Sequence, residues 1–72
     1  MGKGKTMKMD RVEKALHMAG YSKRMSEELA IEWTNVGYST KQAVAWIHVG
    51  VVDPGDALVE EDMGFSPRDY RD

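Results

Sequence analysis

The centre of the chain reads Gly37-Tyr38-Ser39-Thr40-Lys41-Gln42. This is a helix stop followed at once by a helix start. Glycine adopts the left-handed backbone conformation that ends a helix, and an apolar residue after it packs back on the last turn. Serine with glutamine three residues later forms a capping box at the start of the next helix. The stretch therefore predicts two helices joined by a tight turn.

The same short motif occurs four times: a glycine, then an aromatic or β-branched residue, then a polar residue that starts a helix. The four copies are Gly20-Tyr21-Ser22, Gly37-Tyr38-Ser39, Gly50-Val51-Val52-Asp53 and Gly64-Phe65-Ser66. Each copy predicts the end of one helix and the cap of the next. We therefore expect an all-α fold, a compact bundle of three main short helices plus a weaker fourth with tight glycine-containing turns.

Apolar residues recur at helical spacing between these stops. Helix one is expected at about residues 10–19, starting at Asp10, and Ser22 and Ser26 are alternative caps for helix two. Asp53-Pro54 starts the fourth helix, which is weaker because Gly55 lies in its first turn. The stripes are Val12, Leu16 and Ala19; then Leu29, Ala30, Trp33 and Val36; then Ala43, Val44, Trp46 and Ile47; and then Ala57 with Leu58.

Composition divides the chain into three segments. Residues 1–8 hold two glycines and three lysines, which predicts a flexible basic arm. Residues 9–64 form the helical domain. Residues 65–72 are expected to be a frayed acidic tail, because the five residues after Pro67 are too few for a stable helix.

Charge and cysteine content limit the classes of partner and compartment. Residues 1–52 carry eight Lys/Arg against five acids, whereas residues 53–72 carry seven acids against two arginines. Such asymmetry suits the steering of a partner, and it also occurs in small soluble domains without that role. There is no cysteine, which favours a cytoplasmic protein, and no apolar run approaches the roughly 20 residues of a membrane span. We therefore expect no membrane association.

The sequence offers no catalytic, cofactor or metal motif. His17 and His48 are the only imidazoles, they lie on different predicted helices, and neither has a second histidine or a cysteine four residues away. Gly4-Lys5-Thr6 resembles the end of a phosphate-binding loop but lacks the earlier glycine and the preceding strand. A chain of 72 residues also has little room for a catalytic cleft. We therefore expect no enzyme activity, no cofactor and no metal.

Residues 30–67 form a degenerate tandem pattern of alanine, tryptophan and glycine. The matching positions are Ala30, Trp33 and Gly37, then Ala43, Trp46 and Gly50, then Ala57 and Gly64, with Glu60 where the third tryptophan would fall. This pattern resembles short Ala/Trp/Gly helical repeats of bacterial, especially actinobacterial, proteins. The resemblance implies a helical fold and no particular activity.

A second, weaker resemblance involves the first three predicted helices. Met18-Ala19-Gly20-Tyr21 followed later by Ala43-Val44-Ala45-Trp46-Ile47 is similar to the three-helix ubiquitin-associated domain, whose first turn carries Met-Gly-Phe. Here an extra alanine interrupts the motif. This resemblance implies the shape of that domain, and shape alone does not carry ubiquitin binding.

Aromatic residues are the candidate contacts for a protein partner. Trp33 and Trp46 both have the spacing of core anchors, but Ala43, Val44 and Ile47 already supply an apolar stripe on the third helix. Trp46 is therefore either a core anchor or a partly exposed binding hot spot, and in the second interpretation Phe65 and Tyr70 of the tail are the other candidate contacts. This makes a small non-enzymatic protein-protein interaction module the preferred function.

A helix-turn-helix that binds DNA is the alternative. Residues 26–49 form two predicted helices across one turn, and the second could serve as a recognition helix. Its exposed positions would present Thr40, Lys41, Gln42 and His48 to the bases. That helix has a single lysine, whereas a face that binds DNA usually carries a denser basic patch.

Overall fold

The structure is a computed structural model that describes residues 10–70, in which four helices precede a C-terminal turn. The helices are α1 (Arg11–Met18), α2 (Lys23–Val36), α3 (Thr40–His48) and α4 (Pro54–Asp62), and the last element is a 3-10 turn (Pro67–Tyr70). Residues 10–70 contain no strand, so the prediction of an all-α bundle is confirmed. The predicted arm, residues 1–8, lies outside the described residues.

Side-chain caps start the helices where the sequence predicted them. Ser22 caps α2 by accepting a hydrogen bond from the Met25 N–H at 3.1 Å. Ser26, the alternative cap, is instead buried within α2, where its hydroxyl donates a hydrogen bond to the Ser22 carbonyl at 2.8 Å. Ser39 and Gln42 form both hydrogen bonds of the capping box at the start of α3. The cap assignment that the sequence left open is therefore resolved in favour of Ser22.

Each helix ends at a glycine with positive φ. The φ angle of Gly37 is 108°, in the left-handed region that side chains with a Cβ rarely adopt. There the Gly37 N–H donates to the Thr34 carbonyl at 3.0 Å, and the Tyr38 N–H donates to the Trp33 carbonyl at 3.1 Å. These two bonds are the Schellman pattern that satisfies the last carbonyls of a helix. Equivalent pairs of hydrogen bonds close the helices at the other three copies of the motif.

The Ala/Trp/Gly spacing has a structural reason. The residue four before each glycine provides the carbonyl that accepts the Schellman bond, and in α2 and α3 its side chain is buried in the core. Trp33 and Trp46 hold that position in α2 and α3. The alanine three residues earlier is buried in all three units, at Ala30, Ala43 and Ala57. In α4 the carbonyl belongs to Glu60, which is only partly buried.

The core forms where α1 packs across α2 and α3, while α4 packs against α2. Its two large rings are those of Trp33 and Trp46. The Trp33 indole N–H donates to the Val52 carbonyl at 3.0 Å, which ties α2 to the segment before α4. The buried hydrophobic residues are Val12, Ala15, Leu16, Leu29, Ala30, Trp33, Ala43, Trp46, Ile47 and Ala57.

The helices of the described region are short. The longest, α2, has 14 residues. No helix within residues 10–70 is both long and apolar enough to cross a membrane.

Replacing Gly37 with valine should lower the free energy of unfolding by about 1–2 kcal/mol, because a β-branched residue is strained at positive φ. Apart from the residues adjoining it in the chain, nothing lies within 4 Å of the position where a Cβ would be added, so backbone strain and not a steric clash is the cause. Thermal and urea unfolding measure the change. Gly37→Asn is the matched control and should cost less, because asparagine tolerates the left-handed region. An unchanged midpoint for Gly37→Val would contradict this account of the helix stop.

Candidate functional site: the groove beside α3

A groove of about 850 Å³ lies between the outward side of α3 and the C-terminal turn. We call it the α3 groove. The side of α3 that faces it is set by the core, since Ala43, Trp46 and Ile47 turn inward. The groove is lined by Lys41, Gln42, Val44, Ala45, Trp46, His48, Val49, Glu61, Ser66, Pro67 and Arg68.

Three of the four residues predicted to contact DNA line this groove. Lys41 and His48 are two turns apart on α3, and Gln42 borders the same space. Thr40 is exposed at the start of α3 and does not line the groove. Most of the residues predicted to contact DNA therefore lie together, but the C-terminal turn forms a protein wall beside them.

Trp46 is a core residue, so the alternative of a partly exposed hot spot is wrong. Its side chain is only 1% exposed. Neighbouring core positions on α3 and α4 are the small residues Ala43 and Ala57, so the indole ring supplies the volume that they do not fill. Its N–H donates to Glu61 Oε2 at 3.1 Å, which joins α3 to α4. Trp46 therefore borders the groove without presenting an exposed anchor.

Phe65 and Tyr70, the other two aromatic candidates, are exposed and lie together. Phe65 is 45% exposed and Tyr70 is 40% exposed, and their ring centroids are 6.1 Å apart. The Tyr70 ring also lies 5.9 Å from that of Trp46, centroid to centroid. Its hydroxyl donates a hydrogen bond to Glu60. Neither residue lines the groove, but Tyr70 connects the groove wall at Trp46 to the exposed ring of Phe65.

The segment expected to be a frayed tail forms a 3-10 turn at Pro67–Tyr70. Asp69 accepts hydrogen bonds from the Ser66 N–H at 2.6 Å and from the Ser66 hydroxyl at 3.1 Å, which closes the 3-10 turn. The contact of Tyr70 with Trp46 then holds the turn against the domain. A single turn is too short for stability of its own, so these contacts are what stabilises it.

Two tyrosines beside the carboxylates of α4 have raised pKa values. Burial of the hydroxyl is the larger cause at Tyr38, where it combines with the nearby Glu61 carboxylate to raise the pKa to about 12. Glu61 is close, yet the Tyr38 hydroxyl is buried without a hydrogen bond of acceptable geometry in the described region. At Tyr70 the hydrogen bond to Glu60 is the main cause, and it raises the pKa to about 12.

The groove combines apolar and cationic surface. Ala45, Val49 and Pro67 provide apolar surface, and Lys41 and Arg68 bring positive charge from α3 and from the C-terminal turn. The one carboxylate among the lining residues, Glu61, already accepts the Trp46 N–H. An incoming group therefore meets apolar surface flanked by two cations.

Within residues 10–70, no three His, Cys, Asp or Glu residues cluster as they would around a metal ion. Sequence reasoning identified Lys41, Gln42 and His48 but missed Pro67, Arg68 and Glu61. The Ser66-Pro67 start signal was visible in the sequence, but it did not show that the turn would lie beside α3.

Comparison of the chain with protein-family models, curated proteins and solved structures finds no match. The two resemblances noted in the sequence therefore depend on the quoted residues alone.

Replacing Trp46 with alanine should lower the free energy of unfolding by about 3–5 kcal/mol, because it removes a buried ring and leaves a cavity. For a domain this small, that loss is comparable to the whole stability. Circular dichroism and thermal unfolding report the effect. Phe65→Ala is the control and should cost about 1 kcal/mol or less, since the ring is half exposed. A Trp46→Ala variant with the wild-type midpoint would refute the core assignment.

Stability should decline as the pH rises from about 10 to about 12. Below that window both states keep their phenol protons, and within it the unfolded tyrosines ionise first while Tyr38 and Tyr70 stay protonated. The folded state then binds more protons, so the free energy of unfolding falls as pH rises. Urea unfolding across the window measures the slope. Tyr38→Phe should reduce it, whereas an identical slope in that variant would count against the raised pKa.

Proposed function

We propose that this chain is a small non-enzymatic protein-interaction module whose docking site is the α3 groove. The observation that carries the proposal is the pairing of an apolar surface with two flanking cations, Lys41 and Arg68. The exposed rings of Phe65 and Tyr70 extend this surface beyond the groove. Aromatic and arginine side chains are the residue types that most often dominate binding energy at protein interfaces.

The residues beside the groove are already held in position, which favours binding. Tyr70 is fixed by its contact with Trp46 and by its hydrogen bond to Glu60. Asp69 fixes the turn that carries Arg68 through its bonds to Ser66. Ordering a loop or a side chain on binding costs free energy, so a preorganised wall retains more of the contact energy as affinity.

The charges of the groove suggest the chemistry of the partner. A protein segment with apolar residues between acidic side chains would bury its apolar part against Ala45, Val49 and Pro67. Its carboxylates would lie near Lys41 and Arg68, where complementary charge speeds association and fixes orientation. The absence of cysteine supports a reducing compartment, so the proposal places the module in the cytoplasm.

DNA binding is the second candidate, because Lys41, Gln42, His48 and Arg68 share one groove. Two observations favour a protein partner over DNA. A recognition helix needs its outward side free to enter the major groove, whereas the C-terminal turn lies beside that side of α3. Residues 53–72, which include the C-terminal turn, also carry seven acids. Their negative charge opposes contact with phosphates.

Lys41→Glu should abolish or weaken capture of the protein partner by at least about tenfold, since it places a carboxylate against an acidic ligand. The immobilised chain is incubated with lysate of the source organism, with and without nuclease, and the retained proteins are identified. Lys14→Glu makes the same charge change at an exposed position of α1 outside the groove, and it should retain the partner.

Two outcomes would contradict the proposal. Equal capture by wild type and Lys41→Glu would remove the groove from the interaction. Binding of labelled duplex DNA by the wild type, with affinity that falls steeply as salt rises and is lost in Lys41→Glu, would establish the second candidate instead.

A further inference from the structure

The outward face of α4 is apolar, acidic and uncovered within residues 10–70. Val59 of α4 is 55% exposed, and Met63, the residue that caps the C-terminal end of α4, is 58% exposed. They lie four residues apart, so they are neighbours on the helix surface. Asp56 and Asp62 lie three residues before and after Val59 and are exposed on the same face. The buried residues of α4, Pro54 and Ala57, lie on the opposite side.

This face and the α3 groove are complementary in polarity and charge. Val59 and Met63 are flanked by two carboxylates, and the apolar surface of the groove is flanked by Lys41 and Arg68. Matching an apolar centre to an apolar centre and anions to cations gives both affinity and a defined orientation. We propose that a second copy of this chain is a ligand of the α3 groove and docks through the outward face of α4. This inference depends on the proposed function, because it uses the same groove.

The contact has to form between molecules. Glu61 lines the groove from the inner side of α4, and Val59, two residues earlier, lies on nearly the opposite side of the same helix. Turning Val59 and Met63 into the groove of their own chain would withdraw Ala57 from the core. The groove of one copy therefore accepts α4 of another.

The geometry of this contact predicts the type of assembly. The two surfaces are different patches of the chain, so the contact is head-to-tail and leaves a free groove at one end and a free α4 face at the other. Such a contact produces open chains or rings rather than a closed two-fold dimer. Self-association should therefore continue beyond the dimer as concentration rises.

Two variants separate the two halves of the contact. Lys41→Glu with Arg68→Glu disables the groove and keeps the α4 face. Val59→Ser with Met63→Ser disables the α4 face and keeps the groove. Both positions are exposed, so they tolerate serine without loss of core packing. Circular dichroism checks that both double variants remain folded.

Sedimentation velocity and light scattering measure the mass of each sample from about 10 μM to about 1 mM, a range that detects weak association. The wild type should start near the monomer mass of 8.1 kDa and rise beyond twice that value. Each double variant alone should stay monomeric, with association weakened at least about tenfold. Their equimolar mixture should form a heterodimer and stop there, because the mixture contains only one working contact.

The inference is overturned if the wild type stays at the monomer mass throughout, or if it associates while the mixture of variants does not pair. A closed wild-type dimer that both double variants retain would also overturn it. A monomeric wild type whose captured partner is still lost in Lys41→Glu would reject self-association and leave the proposed function intact. Equal capture by wild type and Lys41→Glu would reject the proposed function itself.

Discussion

A backbone constraint shapes this protein: every helix ends at a glycine whose amide and following amide bond the last carbonyls. The helices are consequently only 8 to 14 residues long. Helices of that length are marginal in water by themselves, so each depends on burying an apolar face. Few residues are enough to bury such a face, because the position four before the glycine carries a large ring in both α2 and α3. A stop signal and a core anchor are thereby combined in one five-residue spacing.

The third unit of the pattern shows how the chain compensates when the anchor is missing. Glu60 stands where tryptophan stands in α2 and α3, and it is only partly buried. Tyr70 approaches from the C-terminal turn, bonds to Glu60 and lies against Trp46. Glu60 thus gives α4 a polar side chain to which the turn is attached. The turn attached there forms the second wall of the α3 groove.

Local signals determined most of the fold, and long-range contacts determined most of the site. Caps and stops act over three to five residues, so Ser39, Gln42 and Gly37 could be assigned from the sequence alone. The burial of Trp46 could not, because it depends on how little volume Ala43 and Ala57 bring to the core. Arg68 and Glu61 were missed for a related reason: their position beside Lys41 follows from where the C-terminal turn packs, and no periodic pattern encodes that packing.

The hydrogen bonds of the two tryptophans give the protein a built-in pair of spectroscopic reporters. These are the only two tryptophans in the chain, and both indole rings are buried. The Trp33 N–H meets a backbone carbonyl, whereas the Trp46 N–H meets the carboxylate of Glu61 beside the groove. A hydrogen bond to a charged acceptor is the stronger kind, so the two indole protons have different magnetic environments. In a nitrogen–proton correlation spectrum, one peak therefore monitors the helical core and the other monitors the wall where a ligand would arrive.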